Sequence, residues 1–387
     1  MILGKIAQKK LFGLLENIHT GTLHLYTPDG ITRRFGNGHP IVHWDVKDWR
    51  TFSAMFARGD VGLGESYAQG WWETPDLEAL TTLALKNHDV IKTTFGGPLA
   101  QRLIYLATDK LLRANSKTGS RKNIAAHYDI SNAFYERWLD PSMTYSAALF
   151  ENGGESLLDA QNRKYDRLLK AAGASGPRTL EIGCGWGGFA ERAAETGDRD
   201  ITAITISEAQ HTYAKDRLCG RAEIRLQDYR DLTGQYDSIV SIEMIEAVGE
   251  RYWPTYFSTI KNNLAPGGRA ALQAIIVEDD WFDLYRSRTD FIRQYTFPGG
   301  MLISPKMIKQ QANAAGLEVE NIFRFGRDYA RTLRYWRQDF EAALPHFEEE
   351  GYAPQFLRGW KYYLDTCAAA FEVGTRTNVI HVELCHD

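Results

Sequence analysis

The residues best placed to do chemistry lie at 178–188, Arg-Thr-Leu-Glu-Ile-Gly-Cys-Gly-Trp-Gly-Gly. Leu180 and Ile182 alternate with Glu181, the pattern of a short buried strand. Gly183, Gly185 and Gly188 follow, and residues 189–194 read as a helix. Strand, glycine turn and helix let a backbone approach a nucleotide-like ligand closely. The glycines satisfy G-x-G-x-x-G, so a dinucleotide site is one reading and a purely structural turn another. The four cysteines (Cys184, Cys219, Cys367, Cys385) have no C-x-x-C spacing. They point to reduced thiols in a cytosolic setting, not to zinc or disulfides.

Such a loop has to be held by a sheet. Strand-like runs at 179–183, 201–206, 222–227, 236–242 and 268–277 alternate with helical stretches. That alternation predicts an α/β fold whose parallel sheet is covered on both faces, with ligands at the carboxyl ends of the strands. Residues 123–387 form this unit, with an insertion expected around 278–335 and a last strand at 377–384. Helices are expected at 156–171, 304–315, 333–344 and 356–371. Residues 1–90 read as a small α+β accessory domain, with a strand and a Pro-Asp-Gly turn at 21–30, short strands at 31–35 and 39–44 and helices at 45–57 and 77–85. Residues 91–122 connect the two. Residues 99–112 are apolar at helical spacing, and Lys110, Arg113, Lys117, Arg121 and Lys122 follow with no acid after Asp109. This connector is either a binder of anionic lipid headgroups or a solvated linker.

The chain has 387 residues, 44% hydrophobic and 24% charged, with a net charge of −4 that gives no bulk attraction for nucleic acid. No apolar run reaches the roughly 18 residues of a membrane span, and residues 1–10 lack the apolar core of a signal peptide. Ten Trp, 19 Tyr and 18 Phe fit ordinary core packing or an aromatic-lined tunnel for an acyl chain.

With Glu181 two residues ahead of the first glycine, E-x-G-x-G resembles the S-adenosylmethionine loop of class I methyltransferases. Further stretches carry the resemblance: His127-Tyr-Asp, Met143-Thr-Tyr-Ser, Thr205-Ile-Ser-Glu-Ala-Gln, Gln227-Asp-Tyr-Arg-Asp, Ser241-Ile-Glu-Met-Ile-Glu-Ala-Val-Gly, Phe297-Pro-Gly-Gly, Phe325-Gly-Arg-Asp-Tyr-Ala and Cys367-Ala-Ala-Ala-Phe. Together they resemble bacterial cyclopropane-fatty-acyl-phospholipid synthases and related acyl-chain methyltransferases. Gly62-Leu-Gly-Glu-Ser-Tyr and Gly70-Trp-Trp match that family's N-terminal domain. The resemblance implies methyl transfer from S-adenosylmethionine to a cis double bond in a phospholipid acyl chain. A carbocation then loses a proton. Loss from the new methyl closes a cyclopropane; loss from a neighbouring carbon leaves an alkene. The family also implies a homodimer, cytoplasmic and peripheral to the inner face of the membrane.

The resemblance also assigns residues. Tyr145 and Ser146 are expected to cover the methionine end of the cofactor, against the backbone of Gly183, Cys184 and Gly185. Thr205, Ile206 and Gln210 are expected near the ribose, and Asp228 and Tyr229 at the adenine. Family members that make cyclopropanes hold a bicarbonate through a Cys, a Glu, a His and a Tyr. Glu246 and Tyr329 match two of these positions; Ala147 stands at the Cys position and Gln273 at the His position. Alanine offers no side-chain hydrogen bond and glutamine cannot become cationic, so bicarbonate binding is in doubt. Gln273, backbone amides and Tyr329 could still hold the anion, or Glu246 could act as the base itself, or the proton could leave a chain carbon. Tyr128 is expected beside the acceptor chain, where its ring could stabilise a cation, and Cys367 is expected to be structural. A catalytically silent lipid-binding protein is the competing reading from another class.

Overall fold

The computed structural model describes residues 2–92, 131–173, 176–197 and 199–387. The connector from residue 93 onward, with its basic run, and the His127-Tyr128 motif lie outside the described residues.

The N-terminal unit contains α1 (Ile2–Leu15), β1 (Gly21–Tyr26), β2 (Thr32–Asn37), β3 (Ile41–Val46), α2 (Arg50–Arg58), α3 (Asp60–Ala68), β4 (Trp72–Glu73), α4 (Leu77–Lys86) and α5 (His88–Lys92). Its sheet has the order β2-β1-β3-β4, with β1 parallel to β3 and the other pairs antiparallel. Leu23, Leu25, Trp44, Phe52 and Trp72 fill its core. Asp76 caps α4 by accepting the Ala79 N–H. Helix α2 starts at Arg50 rather than residue 45, because Asp45 and Val46 are still paired with Glu73 and Trp72. Helix α3 was not expected, since glycines disfavour helix by about 1 kcal/mol each. Packing explains them. A Cβ on Gly62 would lie 2.1 Å from the Ala54 carbonyl oxygen, and one on Gly64 would lie 2.3 Å from the Phe291 ring.

The second unit carries α6 (Asn132–Glu136), α7 (Leu157–Ala171), β5 (Arg178–Ile182), α8 (Gly188–Glu195), β6 (Asp200–Thr205), α9 (Glu208–Leu218), β7 (Glu223–Leu226), β8 (Tyr236–Ile242), α10 (Ile245–Val248), α11 (Trp253–Asn263), β9 (Leu264–Val277), α12 (Asp279–Arg286), α13 (Pro305–Ala314), β10 (Leu317–Arg324), α14 (Gly326–Glu349), α15 (Pro354–Val373) and β11 (Thr377–His386). The strands form one sheet in the order β10-β11-β9-β8-β5-β6-β7. From β9 to β7 the pairs are parallel, and β11 runs antiparallel to β9 and β10. This is the expected α/β sheet with its antiparallel closing strand.

The insertion expected at 278–335 needs correction. Residues 317–324 form β10, an edge strand of the sheet itself, because the run Leu317-Glu-Val-Glu-Asn-Ile-Phe-Arg pairs with β11. The stretch before it holds α12, a π-helical turn at Ile292–Thr296 and α13. The largest insert is the helix pair α14 and α15, between β10 and β11. Its apolar faces join Trp138 in an aromatic core with Trp336, Phe340 and Trp360. The other side of α15 meets the N-terminal unit: Tyr362 packs on Tyr67 and Trp72, and the Arg358 Nε donates to the Tyr67 carbonyl at 2.8 Å. No helix among the described residues is long and apolar enough to cross a membrane.

Candidate active site

At the carboxyl end of β5 the chain turns through Gly183, Gly185 and Gly187 with φ of +86°, +51° and +87°, a region that favours glycine. The Gly183 and Cys184 amides donate to the Ile204 carbonyl at 3.0 and 2.9 Å, tying the loop to β6. A Cβ on Gly183 would meet Met244 at 2.8 Å, whereas one on Gly185 would point into open space. That space belongs to a cavity of about 820 Å³. It runs from the glycine loop past the ends of β6 and β8 to the N-terminal unit, where Leu11, Leu63, Leu80 and Ala84 line it.

The expected cofactor residues converge here. Tyr145, Ser146, Gly183, Cys184, Gly185, Thr205, Ile206, Gln210, Asp228 and Tyr229 all line this cavity. Ser146 accepts a 2.7 Å hydrogen bond from the Lys164 Nζ, and Tyr145 donates to the Tyr363 hydroxyl at 3.1 Å. Thr205 donates to the Gln210 Oε1 at 2.8 Å, which orients that amide. Asp228 is held from both oxygens by Arg230, at 2.8 and 2.6 Å. Glu208 is exposed. Cys184 is buried among apolar side chains, and burial holds its thiol well above the usual range. That setting suits a packing residue better than a thiolate nucleophile. Two wall atoms, the Tyr229 hydroxyl and the Glu181 Oε2, are buried with no hydrogen-bond partner among the described residues. Buried polar atoms left unmatched in a cavity wall fit a polar ligand that would engage them.

Of the residues expected at the reacting centre, Glu246 and Tyr329 line the cavity. Glu246 accepts the Ile275 N–H on Oε1 at 2.5 Å, while its Oε2 is buried and unpartnered among the described residues. Burial, reinforced by the like charge of Glu243, pushes the Glu246 carboxyl up to about 8. Tyr329 is buried against Trp336 and Phe371, and its phenol is also pushed up by burial, with Glu243 the next cause. Cys367 sits on α15 in the wall, its thiol raised by burial. Gln273 is 1% exposed and reaches the cavity only through its neighbour, Glu243.

Glu243 is the residue that sequence reasoning passed over. It lies one residue beyond β8 with φ +48°, a strained setting for a side chain other than glycine. Its Oε1 accepts the Ala147 N–H at 2.8 Å and the Gln273 Nε2–H at 2.7 Å. Gln273 is itself fixed, donating to the Ala147 carbonyl at 3.1 Å and accepting from the His381 Nε2 at 2.8 Å. Burial holds His381 neutral, well below its usual range. A chain of donors thus runs from His381 through Gln273 to Glu243. The Ala147 amide and the Gln273 side chain are thus the two groups that grip this carboxylate. A second acid three residues before Glu246, just past a buried strand, was the signal available in the sequence. Lys164 was also passed over. It is fully buried in α7, and desolvation brings its ammonium down to about 7, against the charges of Glu243, Asp140 and Glu181.

Comparison with known proteins agrees with this geometry. Residues 115–382 match the family model of mycolic acid cyclopropane synthetase. The chain is 35% identical to tuberculostearic acid methyltransferase UfaA1 of Mycobacterium tuberculosis, over 91% of this chain and 81% of that protein. It is also 35% identical to the cyclopropane-fatty-acyl-phospholipid synthase of Escherichia coli K12, over 87% of this chain and 86% of that one. Among solved structures it resembles mycolic acid cyclopropane synthase CmaA1, complexed with S-adenosylhomocysteine and CTAB. That match has a TM-score of 0.63 and 28% identity, over 68% of this chain and 97% of that one.

Proposed function

The chain belongs to the mycolic acid cyclopropane synthetase family and is an S-adenosylmethionine-dependent methyltransferase, and from that premise we propose the following acceptor and product. The acceptor is the double bond of an unsaturated phospholipid acyl chain. The product is a methyl or methylene chain, the precursor of a branched or furan fatty acid, rather than a cyclopropane. The observation that carries this reading is the Glu243–Glu246 pair in a cavity continuous with the glycine loop.

The cofactor supplies an electrophilic methyl group on a sulfonium. Gly183, Gly185, Tyr145 and Ser146 would hold its methionine end, and Gln210, Asp228 and Tyr229 its nucleoside. Methylation of the double bond leaves a cation on the chain, and one proton must then leave for neutrality. Each of the two carboxylates has one oxygen tied to a backbone N–H, and Glu243 Oε1 takes the Gln273 amide as well. The second oxygen of each makes no hydrogen bond among the described residues and is left to stabilise the cation or take the proton. Glu243 thereby stands where an external bicarbonate would otherwise be needed. Tyr329, the aromatic walls and burial keep water from the cation. If the proton leaves a chain carbon, the product is an alkene bearing the new methyl. Its saturation would need two electrons from a separate reductant.

The apolar cavity supports an acyl acceptor, and such chains are presented at the inner membrane face. Dimerisation through the N-terminal unit is part of the same reading, testable by mass photometry. Cyclopropane formation stays the alternative product and a silent lipid-binding protein the alternative class. Lipids from an expression host lacking such enzymes should gain one carbon per modified chain. Mass spectrometry before and after hydrogenation should then find a surviving double bond. Chains that resist hydrogenation would mark cyclopropanes, and absence of S-adenosylhomocysteine with unsaturated vesicles would mark a silent protein. Turnover should also be indifferent to bicarbonate. In Glu243→Gly it should collapse and be partly restored by added bicarbonate; a bicarbonate requirement in the unaltered chain would remove Glu243 from this role.

A further inference from the structure

Along one stretch the cavity wall differs in character from the rest. One face of α12 and the turn after it (Trp281, Leu284, Tyr285, Arg288) lines it, and Arg376 and Thr377 line it from the start of β11. The Arg376 guanidinium lies over the Trp281 ring, 4.3 Å from its centroid. Its own backbone is fixed, because its carbonyl accepts the Glu278 N–H at 2.8 Å. Neither Arg288 nor Arg376 has a carboxylate partner among the described residues. Glu278 is engaged with Arg324, Glu372 with Arg334, and Asp290, which also lines the cavity, with the Arg293 N–H. Burial alone acts on Arg376, lowering its pKa with no acid to offset it. The Thr377 Oγ1 beside it is buried and has no hydrogen-bond partner among the described residues.

Two guanidiniums, Arg376 half-buried and Arg288 exposed, and an unsatisfied hydroxyl beside Trp281, Leu284 and Tyr285 are the chemistry of an anion seat. The seat is joined to the reacting centre by a short line of contacts. The Glu246 carbonyl accepts the Met301 N–H at 2.9 Å, the Met301 Sδ lies 3.5 Å from the Arg293 Nη2, and the Arg293 Nη1 donates to the Arg288 carbonyl at 2.7 Å. Both groups line one cavity, so an acyl chain lying along it can have its double bond at the carboxylate pair and its polar end at the arginines. We propose that Arg376, Thr377 and Arg288 form a subsite for the phosphodiester of a phospholipid headgroup, so that the acyl chain is taken while still esterified to its lipid. This rests on the acyl-chain reading above and extends it to the headgroup.

Binding tests it without turnover. The full chain is titrated calorimetrically with dioctanoyl phosphatidylglycerol, dioctanoylglycerol, octanoate and inorganic phosphate. Arg376→Gln, Arg288→Gln and the isosteric Thr377→Val follow, each checked for unchanged S-adenosylhomocysteine binding. The phosphatidylglycerol should bind about tenfold or more tighter than the uncharged diacylglycerol. Arg376→Gln should erase most of that gap and the other two part of it, while dioctanoylglycerol affinity stays put. Equal affinity for the charged and uncharged lipids, or equal losses for both in the variants, overturns the subsite. Octanoate or phosphate binding as tightly as the lipid overturns the headgroup assignment. Formation of S-adenosylhomocysteine from S-adenosylmethionine in the presence of unsaturated vesicles is measured separately. A chain that binds phosphatidylglycerol through these residues but forms none fails as an acyl methyltransferase and keeps the subsite.

Discussion

Two carboxylates close together inside an apolar cavity cannot both be ionised at low cost. Burial raises both Glu243 and Glu246, the latter to about 8, so in the cofactor-free protein the pair holds a proton near neutrality. A bound sulfonium would favour the ionised form and lower both. The kcat/KM for cofactor, which reports the cofactor-free enzyme, should therefore rise with pH up to about 8. The kcat profile should have its limb at lower pH, and two superimposed profiles would show that the pair does not titrate with the cofactor. Replacing Glu246 by Gln should cut kcat by roughly 10²–10⁴ and leave S-adenosylhomocysteine affinity unchanged by calorimetry. A variant at full rate would remove Glu246 from the chemistry. The same substitution bears on stability, with a definite sign. A carboxyl whose folded pKa is raised binds its proton more tightly folded than unfolded. Stability is then lost as pH rises from the unfolded value near 4.5 to the folded value near 8. Glu246→Gln should raise Tm at pH 8 more than at pH 5, the usual exchange between stability and a strained site.

The elements that present these residues were the most legible part of the sequence. Strand–helix alternation gave β5 to β9, and the glycines after Ile182 marked the turn, because both rest on local rules of period and φ. What the sequence hid was set by distant contacts. Helix α3 contains Gly62 and Gly64, which propensity reads as helix breaking, yet each is demanded by a neighbour: the Ala54 carbonyl for one and the Phe291 ring for the other. Strand β10 was legible as a strand but not as an edge of the main sheet, since pairing with β11 links residues about sixty positions apart. Glu243 was hidden for the same reason, its partners lying on the Ala147 loop and on β9. The glycine argument can be checked directly. Gly64→Ala forces a methyl into Phe291, whose backbone N–H is held by Asp60 at 2.8 Å. It should cost about 1–3 kcal/mol, as overpacking does, read as a lowered Tm. Gly70→Ala, at φ +72° with open space around its Cβ, should cost less, through backbone strain alone.

At the scale of the molecule, the N-terminal unit is built into the cavity rather than appended to it. Helix α15 is the shared wall. Tyr363, Cys367 and Phe371 on it line the cavity together with Tyr329, while Tyr362 and Arg358 grip the N-terminal unit through Asp60, Tyr67 and Glu73. Asp60 bridges the two units, accepting the Phe291 N–H on one oxygen and the Tyr362 hydroxyl, at 3.2 Å, on the other. Much of the N-terminal part of the wall is aliphatic, with Leu11, Leu63, Leu80 and Ala84 beside the polar Asp60, Asn87 and His88. Its physical effect is to lengthen the apolar path beyond the proposed centre at Glu246. A bulky side chain in that stretch should therefore act as a length gauge and not as a catalytic lesion. Ala84→Trp, on α4, should raise KM for vesicles of eighteen-carbon unsaturated lipid by about tenfold, the loss of one to two buried methylenes. It should leave S-adenosylhomocysteine affinity unchanged and spare shorter acyl chains. If KM rises equally for every chain length, the N-terminal unit only docks the protein on its substrate. If KM is untouched, the acyl chain does not enter this arm of the cavity, and the path from the carboxylate pair must run another way.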